Sequence, residues 1–125
     1  MENAYIIKLK EYTDKRGTLI PFEYNNNCPF EIQRFFIIYN VPQNTKRGEH
    51  INIDSKNIII AIKGSCKIKC IENKKEYNFI LNSPDIGLFI NNNIYREIYY
   101  FSNDCILLCI SDKKYNKEEY INISK

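Results

Sequence analysis

Short apolar or alternating runs recur about every eight to twelve residues along the chain, each bounded by turn residues. Ten strands are predicted, over residues 4–10, 18–23, 34–40, 49–53, 57–62, 65–71, 76–81, 88–90, 95–101 and 105–110. Such spacing, with almost no helical periodicity between the runs, is what a β-sandwich or barrel produces. The intervening turns have identifiable chemistry. Asn25-Asn26-Asn27 precedes Pro29, Lys63-Gly64 joins two strands directly, Asn73 with Lys74 closes a hairpin, and Ser83-Pro84-Asp85 precedes Gly87. Residues 105–110 are apolar on both faces, as expected of a strand lying between two packed layers. Residues 117–123 are the one stretch that reads as a helix, a short terminal one covering the barrel. No repeat or linker interrupts the pattern, so residues 1–125 are expected to form one all-β domain, a jelly-roll barrel or sandwich with a short C-terminal helix.

Composition supports this picture. A chain of 125 residues is long enough for one domain with a proper core. Ten Tyr and seven Phe suit pleated surfaces and exclude a disordered chain. The net charge is +3, but basic runs never exceed two residues, as at Lys74-Lys75 and Lys113-Lys114. No phosphate-tracking stripe results, which argues against nucleic acid as a partner. Residues 1–10 alternate charged and apolar positions, unlike a signal peptide. No run approaches the roughly 18 apolar residues that a membrane helix needs. A soluble, cytoplasmic protein without membrane partners is expected.

Five cysteines, Cys28, Cys66, Cys70, Cys105 and Cys109, contain two spacings of four that invite a zinc reading. In strands, four residues span about 13 Å, too far for two thiolates to share one tetrahedral ion. They read instead as small core hydrophobes in a reducing compartment.

The single histidine, His50, lies in Lys46-Arg47-Gly48-Glu49-His50-Ile51-Asn52. Strand alternation puts His50 and Asn52 on one face and Glu49 and Ile51 on the other. A polar face among apolar strands is what a small barrel offers a ligand at its mouth, although a polar edge strand would look the same. Arg96, in Ile94-Tyr95-Arg96-Glu97, is a second candidate, offering a fixed fork of donors to a phosphate or carboxylate. Arg16, in the turn Asp14-Lys15-Arg16-Gly17, is a weaker candidate for the same role. A tight transition-metal site normally takes two or three histidines plus a carboxylate, so one histidine gives no metal or other cofactor expectation. Neither a nucleophile elbow nor an activated thiol is visible.

These residues resemble the sugar-nucleotide 3,4-ketoisomerases, WxcM-like cupins acting on thymidine-diphosphate 4-keto-6-deoxyhexoses. The likeness runs through Arg16-Gly17-Thr18-Leu19, Pro29-Phe30-Glu31-Ile32-Gln33-Arg34, Lys63-Gly64-Ser65-Cys66, Gly87-Leu88-Phe89-Ile90 and Phe101-Ser102-Asn103-Asp104-Cys105. It implies a cupin-type fold, a nucleotide-sugar ligand, and a homodimer with exchanged N-terminal strands. It also implies His50 and Asn52 at the catalytic positions, with Arg16, Arg47, Asn57, Tyr95 and Arg96 toward the substrate. The chain departs from the family at the pocket. The family's Arg-Gly-Phe-His-x-His is Arg47-Gly48-Glu49-His50-Ile51-Asn52 here, its Trp-His-Glu is Tyr95-Arg96-Glu97, and its paired tyrosines are Phe36-Ile37. Two expectations therefore stand side by side. In one, His50 carries the proton of an enediol isomerisation with Asn52 as polariser. In the other, the pocket only binds a nucleotide-sugar and the isomerase activity is lost.

Overall fold

The structure, a computed structural model, describes residues 3–122. It contains β1 (Ala4–Lys8), β2 (Tyr12–Asp14), β3 (Gly17–Leu19), β4 (Arg34–Tyr39), β5 (Arg47–Asn52), β6 (Asn57–Lys63), β7 (Cys66–Glu72), β8 (Lys75–Leu81), β9 (Ile86–Ile90), β10 (Tyr95–Tyr99), β11 (Ile106–Ser111) and β12 (Tyr120–Asn122). Two five-stranded sheets, ordered β1-β9-β6-β11-β4 and β12-β5-β10-β7-β8, enclose the interior, and β2 and β3 form a separate ribbon. The named strands pair antiparallel, and most neighbours in each sheet are distant in sequence, which is the cupin-like jelly-roll order.

The isoleucine-rich strands explain where the core forms. Ile59 and Ala61 of β6 point between the sheets, where they meet Ile68, Leu88, Ile90, Ile98 and Leu107. Ile58 and Ile60 of the same strand point outward and are buried under Phe30, Cys28, Leu9 and Phe89. A strand covered on both faces needs apolar residues at every position, and fully burying each such side chain contributes roughly 1.5–3 kcal/mol. The outer cover is the stretch after β3, in which Ile20, Phe22, Phe30 and Ile32 pack on the first sheet.

Two expectations are corrected. Residues 18–23 are strand only as far as Leu19, and Tyr12–Asp14, outside every predicted strand, is the partner strand of a hairpin. The predicted C-terminal helix is a single 3-10 turn, Lys117–Glu119, followed by β12; Ile123 lies outside the described residues. The physical reason is length. A helix of two turns has little intrinsic stability, whereas β5 offers an unpaired edge. Tyr120, Ile121 and Asn122 take that edge opposite Asn52, Ile51 and His50.

All five cysteines are free and buried. Cys66 contacts Cys105 rather than its sequence neighbour Cys70, and burial pushes the Cys66 thiol far up from its ordinary value. No helix among the described residues is long and apolar enough to cross a membrane.

Gly64, in the turn between β6 and β7, has φ +71, and a Cβ there would lie 2.6 Å from Asp104 Oδ1 and 2.7 Å from Cys105 Cα. Gly64→Ala is expected to cost roughly 2 kcal/mol or more, read as a lower midpoint in urea unfolding with unchanged slope.

Candidate active site

A cavity of about 330 Å³ opens between the sheets, with His50, Asn52, Asn57, Arg47 and Arg96 on its wall. His50 is directly opposite Arg96 across the β5–β10 pair, so both side chains share the inner face. The ladder then shifts. Glu97 pairs with Gly48 and Ile98 with Arg47, which leaves Glu49 as an extra residue at φ 59. Strict alternation from His50 would turn Arg47 away, and the bulge returns it to the inner face opposite Ile98. Gly48, at φ +80, lets the stem of Arg96 approach closely, since a Cβ would lie 3.0 Å from Arg96 O and 3.3 Å from Arg96 Cγ.

The His50 Nδ1 lies 2.9 Å from the Gly48 carbonyl oxygen. A carbonyl only accepts, so Nδ1 carries the hydrogen and the neutral ring presents Nε2 as a base. Burial lowers the imidazole pKa from its ordinary value and the Arg96 charge adds to this, while the Gly48 carbonyl, Asn52 and Glu119 act in the opposite direction. The net shift is downward, so the ring is neutral at pH 7. Asn52 is buried, donates from Nδ2 to Ser55 Oγ at 3.0 Å, and leaves Oδ1 without a hydrogen-bond partner. The atom it presents is therefore an acceptor, where a polarising donor was expected. Asn57 also donates to Ser55 Oγ, at 3.3 Å.

Three arginines converge on this cavity and, among the described residues, no acidic one lines it. Arg96 is 4% exposed, donates from Nε to Ile94 O at 3.3 Å, and leaves Nη2 buried without a partner. Arg34 stacks over the rings of Phe36 (4.9 Å) and Tyr115 (5.4 Å) and donates from Nη2 to the Tyr120 hydroxyl at 3.1 Å. On the cavity wall, burial pushes the Cys109 thiol up to about 12, even though Arg96, Arg47 and Arg34 all pull it down. Buried cationic donors without carboxylates suit an anionic ligand.

Two expected substrate residues lie elsewhere. Tyr95 faces the other side of its sheet, where its hydroxyl donates to Glu97 Oε2 at 2.8 Å beside a separate cavity. Alternation with inward Arg96 enforces this. Arg16 sits in the exposed β2–β3 turn, ion-paired with Asp14 at 2.6 Å and remote from the His50 cavity within the chain. Conversely, Arg34, Tyr115 and Tyr120 line the cavity without having been singled out. Arg34, Phe36 and Ile38 share one face of β4, so strand periodicity held that signal. Tyr120 was concealed by the expectation of a helix over 117–123, and Tyr115 lies just before that stretch, outside every predicted element.

The C-terminal wall is pinned by Glu119, whose buried Oε1 accepts from Asp54 N at 3.1 Å and Ser55 N at 2.8 Å. Glu119→Ala would strand these donors, so a loss of about 1–3 kcal/mol is expected, together with faster hydrogen exchange at the Asp54 and Ser55 amides.

The family model described as "FdtA: WxcM-like, C-terminal" matches residues 2–124. A TDP-4-oxo-6-deoxy-alpha-D-glucose-3,4-oxoisomerase of Aneurinibacillus thermoaerophilus is 30% identical over 121 residues, covering 97% of this chain and 86% of that protein. The structure of WlaRA, a TDP-fucose-3,4-ketoisomerase from Campylobacter jejuni, superposes with a TM-score of 0.92 at 40% identity, covering 96% of this chain and 89% of that one. A mutant of the 3,4-ketoisomerase QdtA from Thermoanaerobacterium thermosaccharolyticum, with asparagine for histidine, was solved in complex with TDP-4-keto-6-deoxyglucose. It gives a TM-score of 0.94 at 32% identity over 98% of this chain and 89% of that one. With a family match from end to end and relatives of this similarity over nearly their whole length, the chain belongs to the FdtA, WxcM-like family.

Proposed function

We propose that the protein is a nucleotide-sugar 3,4-ketoisomerase, converting a TDP-linked 4-keto-6-deoxyhexose to its 3-keto isomer. The observation that carries this reading is the His50 imidazole, fixed by the Gly48 carbonyl with Nε2 as its basic atom in a cavity rich in arginine. Moving the ketone requires removal of the proton on C3, an enediolate at O4, and return of a proton to C4. Oxidation at C3 is matched by reduction at C4, so no external electron acceptor enters the balance. His50 Nε2 takes the C3 proton and later delivers it to C4. The unpartnered Nη2 of Arg96 holds the developing charge at O4. Asn52 Oδ1 accepts from a sugar hydroxyl, with Asn57 beside it, and Arg47 and Arg34 take the pyrophosphate. The product belongs in the making of a deoxy- or aminodeoxy-sugar for surface glycans, in the cytoplasm.

A homodimer is part of the same proposal. The β2–β3 ribbon is exposed along both strands, and the outer face of edge strand β4 presents Phe35, Ile37 and Tyr39 at 66%, 51% and 60% exposure. Such faces suit a second copy of the chain.

The decisive assay is incubation with TDP-4-keto-6-deoxyglucose in heavy water, followed by NMR. Deuterium entry at C3 and a 3-ketone product are expected, and no exchange above an enzyme-free control would overturn the reading. His50→Ala is expected to slow C3 exchange by about 10²–10⁴-fold. Because the His50 pKa is lowered from 6.5, kcat/KM is expected to stay level from neutral pH down past 6.5, then fall as the ring protonates. A fall centred above pH 6.5 would remove His50 from this role. Light scattering should give twice the chain mass.

A further inference from the structure

We propose that Tyr120 is a second catalytic residue, the group that moves a proton between O3 and O4 of the sugar and so supplies what Asn52 cannot; this rests on the ketoisomerase reading above. The isomerisation moves two protons, one from C3 to C4 and one from O3 to O4. His50 is occupied with the first. The second needs a side chain able to give and regain a proton beside the two oxygens. Asn52 and Asn57 have amides that do not titrate, and the three arginines remain charged throughout. Among the other described residues that line the cavity, only Cys109, Tyr115 and Tyr120 carry a transferable proton. Cys109 is buried in the apolar interior between the sheets, and Tyr115 is 65% exposed.

Tyr120 is placed differently. It is the residue directly across the β5–β12 pair from Asn52, so both side chains stand on the same sheet face. Its ring lies against His50, with centroids 4.6 Å apart, which sets the hydroxyl-bearing side chain beside the carbon base. The Tyr120 oxygen accepts from Arg34 Nη2 at 3.1 Å, so its own hydrogen is available to a ligand. A guanidinium donating to that oxygen also stabilises the negative charge that appears when the proton leaves.

The steps balance without any added reactant. His50 Nε2 takes the C3 proton, and the C3–H electron pair becomes the C3–C4 double bond as the carbonyl electrons move onto O4. The enediolate O4 takes the Tyr120 proton, and the tyrosinate takes the proton from the O3 hydroxyl. The electrons left on O3 form the C3 carbonyl while the double-bond pair takes the His50 proton at C4. Tyr120 and His50 end as they began.

The test follows from this division of labour. In Tyr120→Phe, product formation is expected to drop at least ~100-fold while deuterium entry at C3 stays within about threefold of the wild-type rate. Thermal stabilisation by TDP matching that of the wild type reports an intact pocket. Adding Asn52→His to Tyr120→Phe puts an imidazole at the paired position and is expected to recover product formation at least ~10-fold. Product formation within threefold of wild type in Tyr120→Phe, exchange and product falling together, or no recovery in the double variant overturns the assignment. A wild-type protein that exchanges no deuterium fails one step earlier and overturns the ketoisomerase reading itself.

Discussion

Glu119 is a carboxylate in the protein interior, and two backbone N–H groups, from Asp54 and Ser55, make that position tenable. A buried charge without hydrogen bonds would be too costly to keep. With them, it ties the C-terminal turn to the loop between β5 and β6, reinforced by the bond from Ile53 N to Glu119 O at 3.1 Å. From that anchor the chain enters β12 in register with β5, which places Tyr120 against His50 and within reach of Arg34. One cavity wall, the tyrosine beside the histidine and the orientation of an arginine all descend from this attachment. The same loop holds Ser55, which accepts from both Asn52 and Asn57 and so fixes the polar floor.

The second organising feature is an imbalance of charge. Arg96 lies almost wholly out of water without a carboxylate bound to it, and burial lowers its pKa from the ordinary value. Arg34 is also left with its Nε unpartnered. In an empty pocket these groups cost stability, and a ligand with several anionic oxygens removes that cost when it binds. Affinity for an oxygen-rich anionic ligand is therefore drawn from stress already present in the free protein. His50 sits in the same field, and the neighbouring Arg96 charge is one reason its ring stays neutral.

Much of the fold was legible because burial on two faces leaves a plain mark. The isoleucine runs of β6 and the apolar β11 read as central strands, and the turn residues around Gly64 and Asn73 separated the strands correctly. The inner face of β5 was legible as far as His50 and Asn52, since alternation holds there. It failed at the bulge, because no residue pattern in Arg47-Gly48-Glu49 announces an extra position in the ladder. The C-terminal strand was illegible for a different reason. Three residues carry too little periodicity to distinguish a strand from a short helix, and the free edge of β5 that captured them is a tertiary fact. Tyr95 lies on the opposite face from Arg96 because adjacency in a strand means opposition across a sheet.

The bulge also has a bearing on how this strand can change length. Glu49 is the extra position in β5, passed over where the register with β10 shifts between Arg96 and Glu97. Losing either Gly48 or Glu49 would leave a single residue opposite Glu97, but only the loss of residue 49 keeps a glycine where the Arg96 stem approaches. Losing residue 49 leaves Arg47 opposite Ile98 and His50 opposite Arg96, with the parity of the strand intact. A one-residue deletion in descendants of this sequence can therefore be absorbed here without dispersing the pocket, and a single-residue gap at this point would mark a regularised ladder, with the site retained.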